Sequence, residues 1–272
     1  MAGQGGGMSS GSLSERAASV VARLVAALRR GRALHRDGLT VAATLVLERG
    51  PAPGLPALAE PGSYEVVARL SRGGSLPGPL PDVLGLAVRV PGGGPAHGDV
   101  DLLLSTCVPG VPWLPGPRWD FTAGPYSSLA SYRHGSMPVR LFAYPEKFAY
   151  PEQDAYPEQD AYPEQDAGTG GVPARIDALR RALERGPLVF RLLAAPAGRR
   201  PVRIATLRVR APLPGADVSF DPVLNSHPAL RPAGRLARLR RGAYRGSRRG
   251  RGEPDEAVVP PHSARAAGRS VR

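Results

Sequence analysis

The stretch ARLSRGGSLPGPLPDVLGLAVRV (residues 68–90) decides the fold class. It closes on Leu84, Leu86, Val88 and Val90, apolar at every second position, and before them Gly73, Gly74, Pro77, Gly78, Pro79 and Pro81 break any regular backbone. A short apolar run bounded by such breakers is a strand. Working outward, the same punctuated pattern recurs at Leu39 to Leu47, Tyr64 to Ser71, Val100 to Thr106, Pro187 to Leu193 and Val202 to Val209. With Leu84 to Val90 these predict one antiparallel sheet, curled or closed into a barrel of about six to eight strands. Helical spacing is confined to Ser14–Arg30, Ser127–Arg133, Ala174–Arg185 and Leu236–Arg249. The expected class is α+β, mainly antiparallel β, with helices flanking the barrel.

Composition narrows the function. The chain has 272 residues, with 34 Gly and 31 Pro, which excludes an all-helical bundle, and 42% are apolar, enough for a sizeable core. The formal charge of +13 points at first to nucleic acid or an anionic surface. Lys147 is the only lysine, however, and an excess of Arg, Ala, Gly and Pro reflects coding bias, so the position of each arginine matters more than their sum. One cysteine, Cys107, leaves no internal disulfide or cysteine-rich zinc site and reads as a small buried apolar residue in a cytoplasmic chain. No apolar run reaches the roughly 18 residues of a membrane span. The expectation is a chain with no membrane partner. Trp113, Trp119 and Phe121 read as core aromatics.

From Tyr144 to Ala167 a hexamer repeats, YPEKFA once and YPEQDA three times, with Pro at every sixth position. That spacing forbids a continuous helix or central strand, and the segment is read as a solvated loop inserted into the barrel at 144–167. The domain expectation is a disordered lead-in at 1–12, the barrel domain at 13–251 and a disordered tail at 252–272.

The chemistry-bearing residues are few. His35, His97, His134, His227 and His262 never fall at a helical metal-ligand spacing, and neither a nucleophile elbow nor a phosphate-cradling glycine loop occurs. Four blocks remain, in order: RALHRDG at Arg32 to Gly38; the 68–90 stretch, with Arg69, Ser71, Asp82 and Gly85; DVDLLLST at Asp99 to Thr106; and VSFDPVLNSHPALRP followed by RLARLRRGAYRGSRRGR, ending at Arg251.

Together these blocks resemble the haem catalase family. The resemblance brackets residues 32–251, with the middle, from Pro109 to Gly215, essentially unmatched. It implies a catalase-like barrel, haem as the cofactor, and hydrogen peroxide or an organic hydroperoxide as a small-molecule substrate. His35 is implied as the catalytic imidazole, Ser71 as its hydrogen-bonding partner, and Tyr244 as the axial ligand of the haem iron. Arg240 lies one helical turn before Tyr244, where a guanidinium stabilises a phenolate whose solution pKa is about 10. Arg32, Arg69 and Arg251 are the implied partners of the haem propionates. Where catalases carry an active-site Asn, this chain offers Ser105 or Thr106, neither with an amide to donate; the resemblance implies Thr106 with His35 and Ser71 as the catalytic set.

RLFAY at Arg140 to Tyr144 also puts Arg four residues before Tyr, but it lacks the Phe-Asp-Pro approach and runs into the hexamers, so Tyr244 is preferred. Two rivals remain: a catalase-like barrel without haem, and a phosphate- or nucleic-acid-binding chain built on the arginines of 231–251, which lacks an aromatic stacking platform. Nucleic acid is the weaker expectation, and oligomeric state is left open.

Overall fold

The computed structural model describes residues 37–48, 61–74, 80–90, 98–146, 171–216, 218–227 and 230–234. The described strands are β1 (Gly38–Leu47), β2 (Gly62–Arg72), β3 (Leu84–Val90), β4 (Val100–Val108), β5 (Val111–Pro115), β6 (Tyr126–Ser127), β7 (Tyr132–His134), β8 (Met137–Pro145), β9 (Leu188–Pro196), β10 (Val202–Pro212) and β11 (Arg231–Pro232). One helix, α1 (Ile176–Arg185), lies between β8 and β9.

Every named pairing is antiparallel, in the order β8-β6-β4-β3-β2-β1-β10-β9, and β9 pairs back onto β8. Eight strands therefore close a barrel, which leaves no edge along that circuit to recruit another chain. β7 and β11 extend the sheet beyond β8, and β5 folds back on β4. Register shifts at Ala42/Ala43 and at Arg203/Ala205 bend β1 and β10, as closure of so small a barrel requires.

Alternation sorts each strand into two faces. Leu39, Val41, Ala43 and Leu45 of β1, Ala68 and Leu70 of β2, Leu84, Leu86 and Val88 of β3, and Leu102 and Leu104 of β4 meet in one core. Tyr126 lies there with no exposure, its hydroxyl donating to the Phe121 carbonyl at 2.7 Å and its ring edge-on to Phe190 at 5.8 Å. Helix α1 adds Leu179, Ala182 and Leu183 to this core, with Asp177 in its first turn and Arg185 in its last to complement the helix dipole.

Two expectations need correction. The segment Ser127–Arg133 is not helical; it runs from β6 through a turn into β7. Ser127 Oγ accepts the Leu129 N–H at 3.0 Å and Ser128 Oγ donates to the Ala130 carbonyl at 2.7 Å, so side chains supply the local bonds a helix would have made, with Leu129 at φ 53°. Trp113 and Trp119 are not core: they are 59% and 56% exposed, and of the three aromatics only Phe121 is buried. The one described helix starts at Ile176 rather than Ala174. The expected helices at 14–30 and 236–249 lie outside the described residues, as do the terminal segments 1–12 and 252–272. β8 takes in Tyr144 and Pro145 of the first hexamer, and the repeat from 147 onward lies outside the described residues.

A network on the outer wall ties the segment 219–225 to β3 and β4. Asp101, whose side chain is fully buried, accepts Arg89 Nε at 2.8 Å on Oδ1. Its Oδ2 accepts Arg89 Nη2, the Asp221 N–H and Asn225 Nδ2, each at 2.8 Å. Arg89 also donates to the Ser219 carbonyl at 2.7 Å and lies 5.3 Å from the centre of the Phe220 ring. Leaving one such buried charge alone typically costs about 3–5 kcal/mol.

Cys107, expected to be buried, is 1% exposed on the outer side of β4, where the backbone of Gly116 presses so closely that a β-carbon there would lie 2.7 Å from the Cys107 carbonyl carbon. Burial pushes the thiol from its usual 9.0 up to about 11. The folded state thus favours the neutral thiol, a contribution complete below about pH 9 and lost as pH rises toward 11. Unfolding free energies from urea titrations across this range should fall less in Cys107→Ala than in the wild type, by up to about 2 kcal/mol. Parallel curves for the two proteins would exclude the thiol as the cause.

Candidate functional site

The site has to be built on the outer wall, because the inner face of the barrel is filled by the apolar core. Cross-strand partners share a face. Ser71 pairs with Gly38 on one side and Gly85 on the other, Gly85 pairs with Ser105, and Ser105 pairs with Ser127. A row of five minimal side chains, Gly38, Ser71, Gly85, Ser105 and Ser127, therefore crosses β1, β2, β3, β4 and β6 on the outer wall. At the usual strand spacing Ser71 and Ser105 stand about 10 Å apart with only Gly85 between them.

The hydroxyls in this row are not equivalent. Ser127 donates to the Pro112 carbonyl and accepts from Leu129, so its capacity is committed to the turn. Ser71 is 5% exposed and already engaged. Ser105 is 8% exposed, and its hydroxyl makes no hydrogen bond among the described residues. The hydroxyl is not sealed off: it keeps contact with solvent, and a ligand atom that reached it would find a hydrogen-bonding group.

Thr106, the residue taken into the catalytic set, sits on the other side of the wall. It shares the face of Leu102 and Leu104, has no exposure, and pairs with the core residue Tyr126. Its Oγ1 accepts the Leu84 N–H at 2.9 Å. The structure therefore places Ser105, not Thr106, on the face of Ser71. Counting alternation inward from Leu102 and Leu104 was the signal that separated the two.

Arg69 lies two residues before Ser71 on the same face. Nη1 donates to Thr40 Oγ1 at 3.2 Å, and its guanidinium lies over Gly38, where a β-carbon would come within 2.8 Å of Cζ. The Gly that ends RALHRDG is thus the seat of the Arg that opens the next block. Asp82 is buried and structural: it accepts the Gly74 N–H at 2.8 Å, and Arg72 Nε stands 3.6 Å from its other oxygen. The Arg72 N–H donates to the Asp37 carbonyl at 2.8 Å, fastening the start of β1 to the end of β2.

Beside the row, Arg118 is buried and donates to the carbonyls of Cys107 at 2.8 Å and Pro117 at 3.1 Å. Desolvation lowers its pKa from the ordinary value. Among the described residues no three of His, Cys, Asp and Glu come together as a metal site. No described helix is long and apolar enough to cross a membrane.

RLFAY folds as part of β8, not as a helix. Arg140 and Tyr144 are then four strand residues apart, about 13 Å, too far for the guanidinium to sit against the phenol as one helical turn would place it. Tyr144 instead stacks on Phe142, ring centres 6.1 Å apart. Of the remaining expected site residues, Arg32, His35, Arg240, Tyr244 and Arg251 lie outside the described residues.

No family model matches this chain, and no curated protein matches it. Among solved structures its fold is similar to that of a bacterial catalase, with a TM-score of 0.57 over 98% of this chain and 68% of that one, at 11% identity. A likeness at that identity is one of fold: this chain has a catalase-like β-barrel.

Proposed function

We propose that the chain is a catalase-like haem protein that acts on hydrogen peroxide or an organic hydroperoxide, with weak catalase or peroxidase turnover. The observation that carries this reading is the outer-wall row, where Ser71 and the unspent Ser105 hydroxyl flank Gly85 and the Arg69 guanidinium rests on Gly38. The row fits a planar dianionic cofactor in three respects. Its side chains are small, the Arg69 cation stands at one end, and the Ser105 hydroxyl has no hydrogen bond among the described residues. The catalase-like barrel supports the same reading at the level of fold.

In this proposal Tyr244 is the iron ligand and Arg240 keeps its phenolate charged. Arg32, Arg69 and Arg251 take the propionates. Haem, when bound, supplies a redox-active iron at which a peroxide can be cleaved. His35 takes a proton from one peroxide oxygen and returns it to the departing oxygen, a transfer worth about two to four orders of magnitude in rate. Ser71 orients the imidazole through its other ring nitrogen. Ser105 donates one hydrogen bond to the peroxide where an Asn amide would have offered a longer reach. Losing a well-placed donor at a reacting oxygen costs about a hundredfold, so donor-dependent peroxidase turnover is expected to exceed dismutation.

Haem titration of the purified protein should give a Soret band of high-spin ferric haem with a tyrosinate ligand, abolished or shifted in Tyr244→Phe and unchanged in Tyr144→Phe. Two unchanged spectra would refute the axial assignment, and a wild type that takes up no haem would favour the haem-free barrel.

Oxygen release and donor oxidation measured side by side should both fall about a hundredfold or more in His35→Ala. Ser105→Ala should lose turnover at unchanged stability. Thr106→Val should lose about 1–3 kcal/mol, since it orphans the buried Leu84 N–H, with its turnover retained. Equal rates in wild type and His35→Ala would show adventitious haem chemistry.

A further inference from the structure

We infer that the outer wall around Trp113, Arg140, Arg133 and Arg231 is a binding surface for single-stranded nucleic acid. The surface stands whether or not haem is bound.

Strand parity brings the arginines together. Val139 and Leu141 of β8 are sealed in the core, so Pro138 and Arg140 face outward. Arg133 pairs with Pro138 between β7 and β8, and Arg231 pairs with Arg133 between β11 and β7, so both share that face, and both are exposed. Directly paired residues stand about 5 Å apart and diagonal neighbours, as Arg140 and Arg133 are, about 8 Å. Arg140 Nη2 donates to Ser131 Oγ at 3.0 Å, which holds its guanidinium on this wall. Like charges set directly opposite each other disfavour a strand pair, and an anion shared by Arg133 and Arg231 would turn that repulsion into attraction. The turn between β9 and β10 adds two more cations: the Ala197 N–H donates to the Pro138 carbonyl at 2.8 Å, and the exposed Arg199 and Arg200 follow it. No Asp or Glu occurs in residues 111–117, 128–143, 195–201 or 230–234.

An aromatic ring stands on the same wall. The outward-facing Ser127 donates to the Pro112 carbonyl, which lays β5 against the barrel there. The next residue, Trp113, is 59% exposed, and the Arg140 guanidinium carbon lies 5.8 Å from its ring centre. The guanidinium orients the indole, and the exposed part of the ring is a plane on which a base can stack. Trp113 and Arg231 are over a hundred positions apart, so the stacking ring that the arginines of 231–251 lack in sequence is brought to Arg231 by the fold. An acidic peptide would use the cations and has no need of a flat ring; an anionic membrane requires several apolar side chains to enter it, where this face offers one indole. A single strand uses both, with cations along its backbone and a ring for its bases.

The test is fluorescence anisotropy of the full chain with dye-labelled oligothymidine and oligouridine of about twelve nucleotides, inside the range of about 4–16 for one strand-binding site. Trp113→Ala should weaken binding about tenfold or more with an unchanged salt dependence. Arg133→Ala and Arg231→Ala should each weaken it and lower the slope of log affinity against log salt by about 0.7. Arg180→Ala, which removes the same charge from the exposed face of α1, should leave affinity near wild type. Preference for oligouridine would assign the surface to RNA and preference for oligothymidine to DNA. Absence of binding, or equal losses in all four variants, would overturn the proposal, the latter by showing bulk charge alone. Duplex DNA of the same length bound as tightly as the single strand would overturn the stacking role. Tighter binding to polyglutamate would assign the face to an acidic protein, and tighter binding to phosphatidylserine vesicles to a membrane, and either result would overturn the assignment to nucleic acid.

Discussion

Everything in this protein depends on the two-sidedness of a barrel wall. Once β9 pairs back onto β8, each strand has one face sealed into the core and one face turned outward, and a residue's parity decides which it joins. Ser105 and Thr106 are neighbours in sequence and similar in chemistry, yet the first faces outward with an unspent hydroxyl and the second is sealed with Leu102 and Leu104. A slip of one residue in β4 would exchange them. It would also turn Asp101 into an apolar core.

That consequence explains why the charged network belongs to register as much as to stability. A carboxylate with no exposed surface is tolerable only where several donors converge, and Arg89, Asp221 and Asn225 do so from one side of the wall. Replacing the pair by apolar residues could leave the barrel as stable. Nothing apolar, however, would hold the segment 219–225 at one position, because apolar packing lacks direction.

Much of the barrel was legible beforehand. All six strands expected from alternation are present, most of them extended by one to three residues at their ends. Five strands were not expected: β5 and the nine-residue β8, and β6, β7 and β11, which have two or three residues each, too few for any period, and exist because neighbouring strands supply their partners. Ser127–Arg133 resembled a helix for the same reason. In so short a window the Ser127 and Ser128 side chains, not the apolar spacing, decide the backbone. The exposure of Trp113 and Trp119 was equally hidden, since aromatic composition carries no information about which side of β5 faces solvent.

The sequence by itself determined an antiparallel sheet, the breaks between its strands and the small set of residue types available for chemistry, because periodicity and turn chemistry are local. It narrowed the residue that replaces Asn to two and could have chosen between them by counting parity from Leu102. Only the tertiary structure decided that Gly38 seats the Arg69 guanidinium, that RLFAY is a strand, and that Asp101 binds a segment over a hundred residues away. Those facts require strands distant in sequence to be brought side by side, and closure of the barrel is what brings them there.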